Sequence, residues 1–120
     1  MAALKERGLA LLATNAAVNM AAGSAVATLY TVPTGKTAII SHVVVRGPSA
    51  TLNGGTAFDF TQWRQTVSLT AMTATTDYRV INGNDTKYQL LAAATAFQIT
   101  KTTGSTGAAT ATIDIFGYLF

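Results

Sequence analysis

The sequence predicts an all-β fold: an antiparallel β-sandwich or barrel forming a single domain with an extended N-terminal arm. Three observations point there. Turn signals recur along the chain, at "AAGS" (Ala21–Ser24), "VPTG" (Val32–Gly35), "RGPS" (Arg46–Ser49), "NGG" (Asn53–Gly55), "NGND" (Asn82–Asp85) and "TGSTG" (Thr103–Gly107). The runs between them are short and rich in Val, Ile, Thr, Tyr and Phe, residues that suit a pleated, half-buried surface. Many short strands between glycine-rich turns fit a sandwich or barrel. With 120 residues there is room for one core, which divides the chain into residues 1–24, an arm or first strand, and residues 25–120, the sandwich.

In chain order, Leu9–Val18 is the first run. Its alanines and leucines also favour a short helix, but Gly8 costs about 1 kcal/mol inside one and Thr14 and Asn15 add little, so extended chain is expected. Ala25–Val32 and Lys36–Arg46 follow. Between them Pro33 presets φ for a turn, and Gly35 supplies the left-handed position that closes a hairpin with a bulge. Thr56–Gln62 and the less marked Thr66–Leu69 come next. Tyr78–Ile81, Lys87–Leu91, Ala96–Lys101 and Ala108–Leu119 complete the set, picked out by composition between turn residues. The stretch "TAMTATTDY", Thr70–Tyr78, follows no clear period and has room for a helical turn.

The last strand is apolar on both faces. In "ATATIDIFGYLF" one face carries Ala109, Ala111, Ile113, Ile115 and Leu119; the other carries Thr110, Thr112, Asp114, Phe116, Tyr118 and Phe120. Lys36–Arg46 behaves alike, with Ile39, Val43 and Val45 alternating with Ala38, Ile40, His42 and Val44. A sheet with one face in water alternates cleanly, so both faces here are expected to be covered. In one reading a second sheet, a loop or the arm of the same chain provides the cover. In the other it is a second copy or another protein, as an exposed Phe116, Tyr118, Phe120 stripe demands. Charged residues are only 11% of the chain, against about 25% in an ordinary soluble domain, which favours the second reading and a homo-oligomer.

Several kinds of chemistry lack their residues. Gly35-Lys36-Thr37 has the last three letters of a phosphate-binding loop, but Tyr30 stands where its first glycine belongs and a β-branched strand follows instead of a helix. No nucleotide or other cofactor is expected. The chain has no cysteine, so disulfides, thiol catalysis and cysteine-ligated zinc are excluded. His42 is the only histidine, and because successive strand residues point to opposite faces it is not expected to pair with Ser41. A structural or interfacial role is expected for it. Glu6, Asp59, Asp77, Asp85 and Asp114 are dispersed, with no D-x-D or E-x-x-H spacing. Asp85 in "NGNDT" reads as turn chemistry, with a weak oxygen-ligand calcium site as the alternative. No catalytic or metal-binding residue is therefore nominated, and no enzyme activity is expected.

The only tryptophan, Trp63 in "FTQWRQTV", reads first as a core plug. The alternatives are an interface anchor beside Arg64 or, with Tyr78 and Tyr88, a stacking platform for a sugar ring. The net charge of +3 comes from scattered lysines and arginines, not the basic stripe of a nucleic-acid binder. Lys5 and Arg7 precede an apolar run as in a signal peptide, but Thr14 and Asn15 cut the run short and Glu6 lies in its basic part. No stretch approaches the ~20 apolar residues of a membrane span. The chain reads as soluble and made in a cytoplasm.

The phrases "LYTVPTGKTAIISHVVVRGPSA", "FDFTQWRQTVSL", "YRVINGNDTKYQL" and "ATATIDIFGYLF" resemble a group of small virion proteins encoded by tailed bacteriophages and prophages. The resemblance runs from about Leu29 to the C-terminus, and its most specific element is Tyr30, Val32, Pro33, Gly35 and Lys36 leading into a β-branched strand. It implies a β-sandwich or jelly-roll subunit, assembled in trimers or other rings and attached to the head shell or to tail and neck components, with no catalytic residues to carry over. The expected function is then a capsid decoration or cement protein in the virion, assembled in the host cytoplasm, whose partner is the major capsid protein or another virion protein. A tail, neck or baseplate component and a carbohydrate-binding receptor module, with Asp77 or Asp85 as hydroxyl partners, are the alternatives. The contact residues expected are Phe116, Tyr118 and Phe120 between subunits, Trp63 with Arg64, and Lys5, Arg7 and Leu9 in an arm that grips the shell or a neighbour.

Overall fold

The computed structural model describes residues 8–21, 26–50, 52, 57–60, 62–63, 65–68, 72, 75–83, 90–103 and 109–120. Nine strands run through them: β1 (Ala10–Asn19), β2 (Ala27–Thr31), β3 (Ala38–Arg46), β4 (Ala57–Phe60), β5 (Gln65–Ser68), β6 (Tyr78–Asn82), β7 (Leu90–Leu91), β8 (Ala96–Thr103) and β9 (Thr110–Leu119). No helix occurs among the described residues. The pairing is antiparallel throughout and makes two sheets, β1-β9-β3-β6 with β7 also on β3, and β2-β8-β4-β5. β6 lies along His42–Arg46 and β7 along Ala38–Ile39, so these two short strands share one edge of β3.

The partners nest. β1 pairs with β9, β2 with β8, β3 with β6 and β7, and β4 with β5. A long hairpin rolled over on itself produces this order, which is the wrap of a jelly roll. All nine expected strands are present, with ends close to those read from composition. Of Lys87–Leu91 only Leu90–Leu91 is described; "TAMTATTDY" is described only at Met72 and Thr75–Tyr78, where a turn sits at Thr75–Thr76. The expectation of a helical turn there falls largely outside the described residues. Residues 10–19 form a strand on the chain's own β9, in the same sheet as β3, and are not an arm laid on a neighbour.

β3 corrects the face assignment made from alternation. Ile40 pairs with Gly117 and His42 with Phe116, so Ser41 is an extra residue, a β-bulge that shifts the parity of the strand. Ala38 and Ile40 before it, and Val43 and Val45 after it, are all buried at 1% exposure or less. Ile39, His42, Val44 and Arg46 take the other face. The bulge brings β3 against β9 so closely that a Cβ on Gly117 would lie 2.2 Å from the Ile39 carbonyl oxygen, which only glycine tolerates. β1 carries two further bulges against β9, and at the second, between Asn15 and Val18, Ala17 has φ 56°.

The connection from β2 to β3 is a turn, as expected, but not a hairpin. The Lys36 N–H donates to the Pro33 carbonyl at 3.1 Å, and Gly35, third in this four-residue turn, has φ 77°. Because β2 and β3 belong to different sheets, the turn carries the chain across the sandwich instead of closing a ladder. Pro33 therefore occupies the first turn position, ahead of the place where its fixed φ was expected to act.

The core lies between the sheets. From the first sheet come Ala38, Ile40, Val43, Val45, Ala111, Ile113 and Ile115; from the second, Leu29, Phe60, Phe97 and Ile99. Trp63 follows β4 in a tight turn, its N–H donating to the Phe60 carbonyl at 3.1 Å, and folds back inside. Its ring lies 5.2 Å from Phe60 and 5.1 Å from Phe97, centroid to centroid, the second contact edge-on. At one edge Asn15 joins the sheets: its Nδ2 donates to the Leu29 carbonyl at 2.8 Å and to that of Ile113 at 3.3 Å. Lys101 follows Phe97 and Ile99 on the inner face of β8, and burial pushes its ammonium pKa down.

Candidate interaction face

The outer face of the β1-β9-β3-β6 sheet can be read row by row from its register, because residues directly opposite in a ladder share a face. One row is Tyr118, Ile39 and Leu90. The next is Leu11, Phe116, His42 and Asn82. Then come Thr14, Asp114, Val44 and Val80, and after them Thr112, Arg46 and Tyr78. Phe120 extends the first end through two backbone hydrogen bonds with Thr37, at 2.7 and 2.9 Å.

Most of this face is apolar and open. Leu11 is 53% exposed, Tyr78 69%, Val80 47%, Leu90 60% and Phe120 43%. Leu9, beside the start of β1, is 49% exposed. Among the described residues the one other large exposed hydrophobic is Val26, just ahead of β2. Phe116 and Tyr118 are half-buried within the face.

Two side-chain pairs hold the middle of the face. His42 stacks on Phe116 with ring centroids 4.7 Å apart and planes 9° from parallel. Its Nδ1 lies 3.2 Å from the Ser41 hydroxyl, a contact that simple alternation forbids and the bulge at Ser41 permits. Among the described residues no carboxylate contacts the ring, so this pair lacks the third group that orients a base toward a nucleophile. The second pair is ionic: Arg46 Nε donates to Asp114 Oδ2 at 2.7 Å. Arg46's hydrogen bond holds the Asp114 carboxyl below its ordinary pKa; desolvation opposes this, and the Thr14 hydroxyl adds to it. Among the described residues the face's cation and anion thus satisfy each other.

The expected contact residues separate. Phe116, Tyr118, Phe120 and Leu9 lie on or beside this face. Trp63 does not: at 1% exposure it is a core residue, sealed by Phe60 and Phe97, and it can serve neither as an outer anchor nor as a sugar platform. Tyr78 is exposed on β6, while Tyr88, Asp85, Arg64, Lys5 and Arg7 lie outside the described residues. Leu11, Val80, Leu90 and the Arg46–Asp114 pair were not anticipated, since each joins the face through a register that one strand read alone does not contain. An acid in the middle of one apolar strand and a base at the end of another were the available hint. Among the described residues no group of three or more His, Asp or Glu is placed to hold a metal ion. Comparison with protein-family models, curated proteins and solved structures finds no match.

Proposed function

We propose that this chain is a structural subunit of a tailed-bacteriophage virion, specifically a capsid decoration protein that stabilises the head shell. The observation that carries the reading is the open apolar face of the first sheet, on a jelly roll whose described charged groups there, Arg46 and Asp114, are paired. A two-sheet body with an open apolar side suits a part that works by occupying a contact. The sequence resemblance from Leu29 onward to small phage virion proteins supports the same class. In such a role, apolar burial supplies about 25 cal/mol per Å2, offset by the roughly 4–15 kcal/mol cost of association. Many modest contacts on one shell then combine through effective concentration.

The test is a cryo-EM map of the parent particle, with the copy number of this chain measured against the major shell protein. Decoration requires density on the shell lattice and hundreds of copies. A few rings at the neck or tail would replace decoration with a tail or neck role, and absence from the particle would defeat the virion reading.

A further inference from the structure

We infer that the outer face of the β1-β9-β3-β6 sheet is a self-association surface, covered by the same face of a second copy. The inference deepens the virion reading by naming the face and its occupant. Three properties point to a copy of this chain and not to a partner of other chemistry.

The first is charge. Among the described residues of the face, Arg46 and Asp114 are the charged pair and neutralise each other 2.7 Å apart, so the described face offers no unpaired charge for a basic or acidic partner to complement. The second is size. Four strand positions ~4.8 Å apart, the last shared by the short β6 and β7, and up to about nine residues long at ~3.3 Å rise give a footprint on the order of 600 Å2. Doubled across two copies, this reaches the ~1,200 Å2 at which stable interfaces begin. The third is symmetry of character: Leu11 at one edge and Leu90 at the other are about equally exposed, 53% and 60%, with the His42–Phe116 stack between them. Rotation about a two-fold axis therefore brings apolar onto apolar along the rows. A patch that meets itself is two-fold by definition, so the assembly is a dimer; a trimer would need a different patch on each side of the contact.

Sedimentation velocity on the full chain tests this, comparing wild type with Leu11→Glu and Leu90→Glu. Both side chains are half in water, so the monomer's circular dichroism and melting temperature serve as the folding control. The exposed-turn variant Thr34→Glu controls for added charge. The expected result is a dimer mass for wild type and Thr34→Glu at ~10 μM, and at least a tenfold weaker association for the two face variants with spectra unchanged. A wild-type monomer up to ~1 mM, a trimer mass, or a dimer indifferent to both face substitutions overturns the inference. The virion reading is distinguished by particle binding. A monomer that binds particles and loses binding on Leu90→Glu keeps that reading but gives the face to the shell protein. A face-dependent dimer never found on particles does the reverse.

Discussion

Asp114 shows how much a single residue depends on its neighbours here. It sits in the middle of β9 on the outer face, almost covered, and keeps its charge because Arg46 lies against it and Thr14 supports it. Its folded pKa is lower than its unfolded value, so the pair's contribution is fully present above the ordinary carboxylate range and is lost as pH falls through the folded value. In thermal melts from pH 7 to pH 2, Asp114→Asn should melt below wild type at neutral pH, with the gap closing at the acid end. A gap that stays constant would mean the ion pair contributes nothing beyond shape. Trp63 is the opposite kind of residue, its side chain packed among Phe60 and Phe97. Trp63→Ala should cost about 3–5 kcal/mol in urea unfolding, a large part of a domain's usual total. A fold that persists undiminished would contradict its place in the core.

At the scale of the strand, the bulges decide which side chains meet the core. At Gly117 no side chain fits opposite the β3 bulge, so Gly117→Ala should destabilise by about 3 kcal/mol. Ala17→Gly, at a left-handed position in the β1 bulge, should be neutral or stabilising by up to about 1 kcal/mol. Equal effects of the two, read from denaturant midpoints, would remove the bulges from the explanation. The strands themselves were legible in composition, since Val, Ile and Thr between glycine-rich turns leave few other options. The faces were legible only where alternation runs unbroken. In β9 it does, and Ala111, Ile113 and Ile115 face inward as read while Phe116 and Tyr118 face outward. In "IISHVVV" both parities are apolar, so nothing in the letters marks Ser41 as the extra residue. The Pro33–Lys36 turn was likewise legible as a turn but silent about which sheet follows. The candidate face needed five strands in register, and one strand supplied only Phe116, Tyr118 and Phe120.

At the scale of the molecule, the nested pairing puts the earliest and latest described strands side by side, with Ala10 opposite Gly117. Those partners are separated by nearly the whole chain, so the ladder closes a very large loop, and its entropy must be met before the contact gives anything back. Yet in space the join is short. A covalent link from Phe120 to Gly8, with new ends opened at the exposed Pro33–Lys36 turn, would convert that distant ladder into a local hairpin. The strands, their order and the apolar face would stay as they are, while the slowest closure in the wrap became one of the fastest. The architecture is therefore cyclic in character, and the place where its polypeptide is cut bears on how quickly it forms more than on what it forms.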